Sequence, residues 1–152
     1  MTTKYDLSFQ LVSGFESLLL VAQKDTFGDI NIGYGLKKYY NDGTPIKVGD
    51  VCTQQQATNW CNWHLVHRVY PLVDKFQEAH PDLFTDKVYA GLSSLFYNCP
   101  IAAQGVSINH AINNENLELL CAAFKLYINV NGEPCRGLIN RRNAEIDFMK
   151  GL

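Results

Sequence analysis

The chain has 152 residues, 47% of them hydrophobic and 18% charged, with eight Phe and eight Tyr. That make-up belongs to a globular domain and excludes intrinsic disorder as the main state. A formal charge of −2 lacks the basic excess of a dedicated nucleic-acid binder, and the apolar run Leu18–Ala22 is far too short for membrane insertion. The five cysteines (Cys52, Cys61, Cys99, Cys121 and Cys135) are odd in number and widely spread. They read as reduced thiols rather than a disulfide framework. Met1–Gln10 has no apolar core of the kind a secretory signal carries.

In chain order, Leu7, Leu11 and Phe15 recur four apart and predict an amphipathic helix over 6–15. Leu18–Ala22 suits either a strand or a buried helix. Lys24–Asp29 reads as a turn, and 29–34 alternates as a half-buried strand does, with Ile30, Ile32 and Tyr34 on one face. Further turn signals at Asn41-Asp42-Gly43 and Val48-Gly49-Asp50 predict a small antiparallel β meander over 18–50. Thr53 and Gln56 then form a capping box. Behind it, Leu65, Val66, Val69, Leu72, Val73 and Phe76 share one face of a long helix that His80-Pro81-Asp82 breaks. Val88, Leu92, Leu95 and Phe96 mark another helix, as do Leu117, Leu120, Cys121 and Phe124. A turn at 131–134 precedes a last helix marked by Leu138, Arg142, Ile146 and Met149. The expected fold class is α+β in a single domain over 1–152. A small β-bearing lobe (about 1–52) and a mainly helical lobe (about 80–152) would be joined by a helix over about 53–78. Two lobes on one helix leave a cleft where ligands bind.

Three places in this pattern carry chemistry. Glu16 has Phe15 before it and Leu18–Val21 after it, and a carboxyl group in apolar surroundings suits a general acid because its ionised form is disfavoured. The bland alternative is a surface residue at a helix end. Asp25 lies nine residues on; a hairpin centred on Gly28 would set it opposite Asn31, so that carboxylate and amide could hold a water between them. The alternative is an Asp that only caps its own turn. Arg142 shares the apolar face of the last helix and needs a carboxylate partner, or it costs several kcal/mol in order of magnitude. Glu16 is one candidate and Glu145, three residues on, is the other, whereas Arg141 would use Glu145 at the surface. Cys61, His64 and His67 form an incomplete metal pattern beside Trp60 and Trp63, so a packing face or aromatic patch is expected and no metal. With no phosphate loop, GxSxG elbow or HExxH, no cofactor is expected.

Taken together, these pieces resemble the phage-type lysozymes of glycoside hydrolase family 24. The likeness rests on Phe15-Glu16-Ser17, Lys24-Asp25-Thr26-x-Gly28 and Asn31-Ile32-Gly33-Tyr34-Gly35. It continues through Thr53-x-x-Gln56-Ala57, Leu95-Phe96-Tyr97-Asn98 and Gly137-Leu138-x-x-Arg141-Arg142-x-x-Glu145, in the family's order. The resemblance implies a lysozyme-like fold and cleavage of the β-1,4 bond between N-acetylmuramic acid and N-acetylglucosamine in bacterial peptidoglycan. Glu16 would be the general acid and Asp25 the second carboxylate. Asn31 would stand where a Thr helps place water, Gly33 and Tyr34 would contact substrate, and Arg142 would support the acid. A monomer is expected, and the lack of a signal-like segment in Met1–Gln10 together with the reduced thiols leads to the expectation of a protein made in a host cytoplasm that reaches the wall after release or delivery. The departures are Ser17 for Gly, Leu19 for a basic residue, Asn31 for Thr, Leu36 for His and Pro100 for Gly. His64 stands where T-even members carry the Asp that pairs with that His. Lytic transglycosylation and non-catalytic glycan binding are the competing expectations.

Overall fold

The computed structural model describes residues 1–152. The first helix, α1 (Lys4–Phe15), starts two residues earlier than expected, because Thr3 and Asp6 form a reciprocal capping box. It buries Ser8 and Val12. Strands β1 (Leu19–Lys24) and β2 (Ile30–Gly33) pair antiparallel, so the apolar run Leu18–Ala22 resolves as a strand. The rest of the expected meander is reduced to isolated bridges, Val21 with Val51, Ile32 with Leu36 and Lys38 with Pro45. These enclose a small core of Ala22, Ile32, Leu36 and Ile46.

The linking helix begins at the Thr53–Gln56 capping box and winds without a break to residue 79, but not as one α-helix. It runs as α2 (Gln54–His64), a π-helical turn (Leu65–Val69) and α3 (Tyr70–Ala79). Pro71 is the physical cause. It has no N–H to give and its ring crowds the carbonyl four residues back, so the preceding turn widens and the Tyr70 N–H donates to Leu65 O.

The helical lobe comprises α4 (Asp86–Asn98), α5 (Val106–Asn113), α6 (Leu117–Phe124) and α7 (Arg136–Lys150), with a short hairpin, β3 (Asn129–Val130) and β4 (Glu133–Pro134), before α7. Nine residues of α4, Val88 to Phe96, are buried in a row, so α4 is its central helix, with α7 packed on one side. On another side lies α1, whose Val12 joins the large core containing Leu65, Leu92, Phe96, Ile112 and Phe124. The lobe boundary expected at 1–52 therefore shifts, since α1 packs with the helical lobe and the small lobe begins at β1. No helix is long and apolar enough to cross a membrane.

Candidate active site

A cleft of about 870 Å3 opens between the hairpin with its following loop and the helical elements. It brings Glu16, Asp25 and Asn31 together in one lining. A cavity of similar size, about 890 Å3, lies among α1, α2 and α3 and holds none of the three.

Glu16 is the first residue past α1, and its N–H still donates to Val12 O, which fixes the backbone at the helix end. Its Oε1 accepts from Arg141 Nη1 at 2.8 Å. That guanidinium donates through Nη2 to Ser94 O and Oγ (3.2 Å each) and through Nε to Glu145 Oε2 (3.4 Å). It also lies 5.0 Å from the Phe15 ring centre. Ser94 Oγ donates to Glu145 as well. Both Glu145 and Arg142 are fully buried. Burial pushes the Glu145 carboxyl up against the opposing pull of Arg142 and Arg141, and pushes the Arg142 guanidinium down from its ordinary value.

Arg142 is therefore not the support of Glu16. It does turn inward, but it donates to Asn98 Oδ1 and sets Nη1 3.1 Å from Glu145 Oε1, an ion pair without hydrogen-bond geometry. Consecutive helical residues point about 100° apart, and Arg141 is the one directed at the end of α1. The apolar surroundings expected from Glu16's sequence neighbours are only partly there, with Phe15 and Leu19 lining the cleft beside it. Leu20 and Val21 are exposed, and the guanidinium is the acid's partner.

Asp25 does cap its own turn. Its Oδ1 accepts from the N–H groups of Phe27 and Asp29, both at 2.9 Å, which leaves Oδ2 without a partner in the chain. The hairpin is centred one residue earlier than expected. Asp25 N–H donates to Asp29 O, Lys24 faces Ile30 and Gln23 faces Asn31. Asp25 and Asn31 are thus diagonal, not opposite. A register shift of two residues keeps a side chain on its face, so both still line the cleft. Diagonal neighbours sit roughly 7–8 Å apart.

Gly33 and Tyr34 do not line the cleft. Gly33 (φ +63°) lets β2 close on α2, where an added Cβ would lie 3.2 Å from the Ala57 Cβ. Tyr34 is buried against Phe9, and its carbonyl accepts from the Tyr97 hydroxyl at 2.7 Å. The glycine that meets the acid is Gly35. It has φ +85°, and a Cβ there would stand 3.2 Å from Glu16 Oε2.

Compared with known proteins, residues 13–145 match the model of the phage lysozyme family. The chain belongs to that family. It is a lysozyme-type, peptidoglycan-lytic enzyme. A search of curated proteins finds no match. Among solved structures, it is 28% identical to an endolysin from Escherichia coli O157:H7 phage FAHEc1 (TM-score 0.71), over 94% of this chain and 90% of that one. A P22 phage lysozyme mutant shares the fold at 20% identity (TM-score 0.71, 99% of each chain). So does the active form of the P1 phage endolysin Lyz at 18% identity (TM-score 0.71, 95% and 83%).

In this phage lysozyme family member, the positions that depart from the family pattern, Ser17, Leu19, Asn31, Leu36, His64 and Pro100, all line the cleft. Leu36 joins the small core. His64 Nδ1 pairs with the Tyr40 hydroxyl at 2.7 Å, and burial together with the nearby Arg68 charge pushes the imidazole below its ordinary value. A neutral hydrogen bond thus ties the loop after β2 to α2. Trp63 stacks between Tyr40 (4.2 Å) and His67 (4.3 Å), which makes the expected aromatic patch a cleft wall. Cys61 turns into the core, where burial pushes its thiol up to about 12. No three His, Cys, Asp or Glu side chains meet to hold a metal ion. Sequence reasoning missed Arg141, Gly35, Tyr40 and Tyr97. The signal for Arg141 was charge balance, because two adjacent arginines and one Glu145 call for a second carboxylate.

Proposed function

We propose that the enzyme hydrolyses the β-1,4 bond between N-acetylmuramic acid and N-acetylglucosamine, with Glu16 as general acid. The observation that carries this reading is the shared cleft of Glu16 and Asp25, one carboxylate held by a guanidinium and the other by two backbone amides. Arg141 occupies Oε1 of Glu16, and Oε2 lies beside Gly35 on the cleft side. Glu16 donates its proton from that side to the glycosidic oxygen. Asp25 Oδ2 takes a proton from a water attacking C1 and stabilises the positive charge developing on the sugar. Asn31 orients that water. The protein is made in a cytoplasm and reaches the wall after release or delivery.

Mass spectrometry of fragments released from purified sacculi tests this. New reducing ends on N-acetylmuramic acid support hydrolysis; reducing ends on N-acetylglucosamine, or no release, refute it. The competing reading is lytic transglycosylation, in which no water enters. It is favoured by Asn31 at the water-placing position and by the commitment of Asp25 Oδ1 to its turn. Anhydro ends in the same spectra would establish it.

A further inference from the structure

The chain is acidic overall, yet its cleft gathers cations: Lys37, Lys38 and Arg68 all line it. Lys37 is paired with Asp29 at 3.2 Å. Neither Lys38 nor Arg68 forms an ion pair with any carboxylate of the chain. Arg68 is held in place by other means. It belongs to the π-helical turn, and its guanidinium carbon lies 5.5 Å from the Trp63 ring centre. Trp63 is itself clamped between Tyr40 and His67, the Tyr40 hydroxyl is tied to His64, and His67 Nδ1 bonds Trp63 O at 2.9 Å. An exposed arginine is thus braced against a rigid aromatic column and faces the cleft with its charge unspent.

We propose that Arg68, with Lys38 in the same cleft lining, is a specificity subsite for a carboxylate carried by the wall glycan, seated against the Tyr40–Trp63 wall. The inference rests on the reading of this cleft as the glycan site. A planar guanidinium takes a carboxylate through two parallel hydrogen bonds, which a lysine cannot reproduce. Peptidoglycan offers carboxylates on its stem peptides, or on the lactyl group where a stem is missing, whereas a chitin oligomer of the same backbone offers none. Arg68 therefore selects substituted muramic units over plain N-acetylglucosamine. The acidic total charge is no obstacle, because the attraction is local and acts within about 10 Å at ordinary salt.

The test uses Glu16→Gln protein, so that ligand is not consumed, and calorimetric titration with two probes: chitopentaose, and a disaccharide–peptide dimer purified from sacculi. With Arg68 present, the anionic probe binds about tenfold tighter, and the advantage shrinks with added salt. In Arg68→Gln the advantage disappears while chitopentaose affinity is unchanged, and Arg68→Lys restores part of it. Equal affinity of the two probes with Arg68 intact, or equal weakening of both in Arg68→Gln, overturns the subsite. So does binding of neither. Arg68 is exposed, so folding is not at stake, and unchanged melting curves confirm it. These outcomes are independent of which bond is cut, which the sacculus products decide separately.

Discussion

The two carboxylates of the cleft are held by opposite strategies. Glu16 is fixed by a partner 125 residues away, at the edge of a buried charge cluster shared by α4 and α7. Asp25 is fixed by its own turn, within four residues, on an exposed hairpin. Chemistry and folding energy are therefore entangled at the first position and nearly separable at the second.

The largest effect is expected at the acid itself. Glu16→Gln keeps an oxygen for Arg141 but cannot donate a proton. Lysis of permeabilised Gram-negative cells should fall by about 10²–10⁴-fold, the range of a general acid, and the melting curve should move down as well, because the buried Arg141 loses a charged partner. Full activity in a turbidity assay would end the assignment. Next comes the cluster behind it. Arg142→Met leaves Glu145 buried without its neighbour, and breaking such a pair costs about 3–5 kcal/mol. Chemical denaturation should show it to be the more destabilising of the two arginine changes. Arg141→Met, at the margin and reaching the cleft, should lose less stability and more activity. The reverse ranking would mean that α7 is anchored through Arg141.

At Asp25 the two effects should come apart. Asp25→Asn retains an oxygen for both backbone amides, so stability should hold within about 0.5 kcal/mol. Activity should drop further than in Asn31→Ala, because Asp25 supplies the charge. Asp25→Ala also loses the turn, at about 1 kcal/mol. If Asp25→Asn and Asn31→Ala are equally impaired, water placement rather than charge carries the step.

The same contrast explains what the sequence revealed. Local devices were legible: the Thr53–Gln56 cap, the Lys24–Asp29 turn, the alternation through Ile30, Ile32 and Tyr34. Where the answer depended on which two faces of an element are buried at once, periodicity misled. The stripe Leu138–Arg142–Ile146–Met149 put Arg142 inside, which is right, but α7 also buries Arg141 against the end of α1 and α4. A single 3.6-residue stripe describes a helix with one covered side. Asn31 reached the cleft despite a misplaced hairpin centre, because moving the centre by one residue shifts the register by two, which keeps each side chain on its face. Gly33 and Tyr34 were misplaced because a Gly-Tyr-Gly run does not say which glycine faces solvent and which faces α2. The π turn was legible in principle from Pro71 within a helical pattern.

The smallest effect concerns acid, and it separates the two regions by sign. Asp50 accepts from Lys47 N–H and the Tyr39 hydroxyl, and Asp42 accepts from Thr44 N–H; these bonds hold both carboxyls below 3.8. Carboxyls with lowered folded values add stability above the unfolded value and lose it as pH falls through the folded one. Glu145 runs the other way. Burial raises its folded value, so its contribution declines as pH climbs above 4.5 and is fully present below it. Loss of stability below about pH 4 should therefore originate in the small lobe, whose core is only four buried residues, and at the Thr3–Asp6 cap of α1, which lowers the Asp6 carboxyl in the same way, and not in the cluster behind Glu16. Asp50→Asn keeps an oxygen for both donors but cannot titrate. It should flatten the fall in denaturation midpoint below about pH 4. A slope identical to that of the parent would place the acid-sensitive contacts elsewhere in the fold.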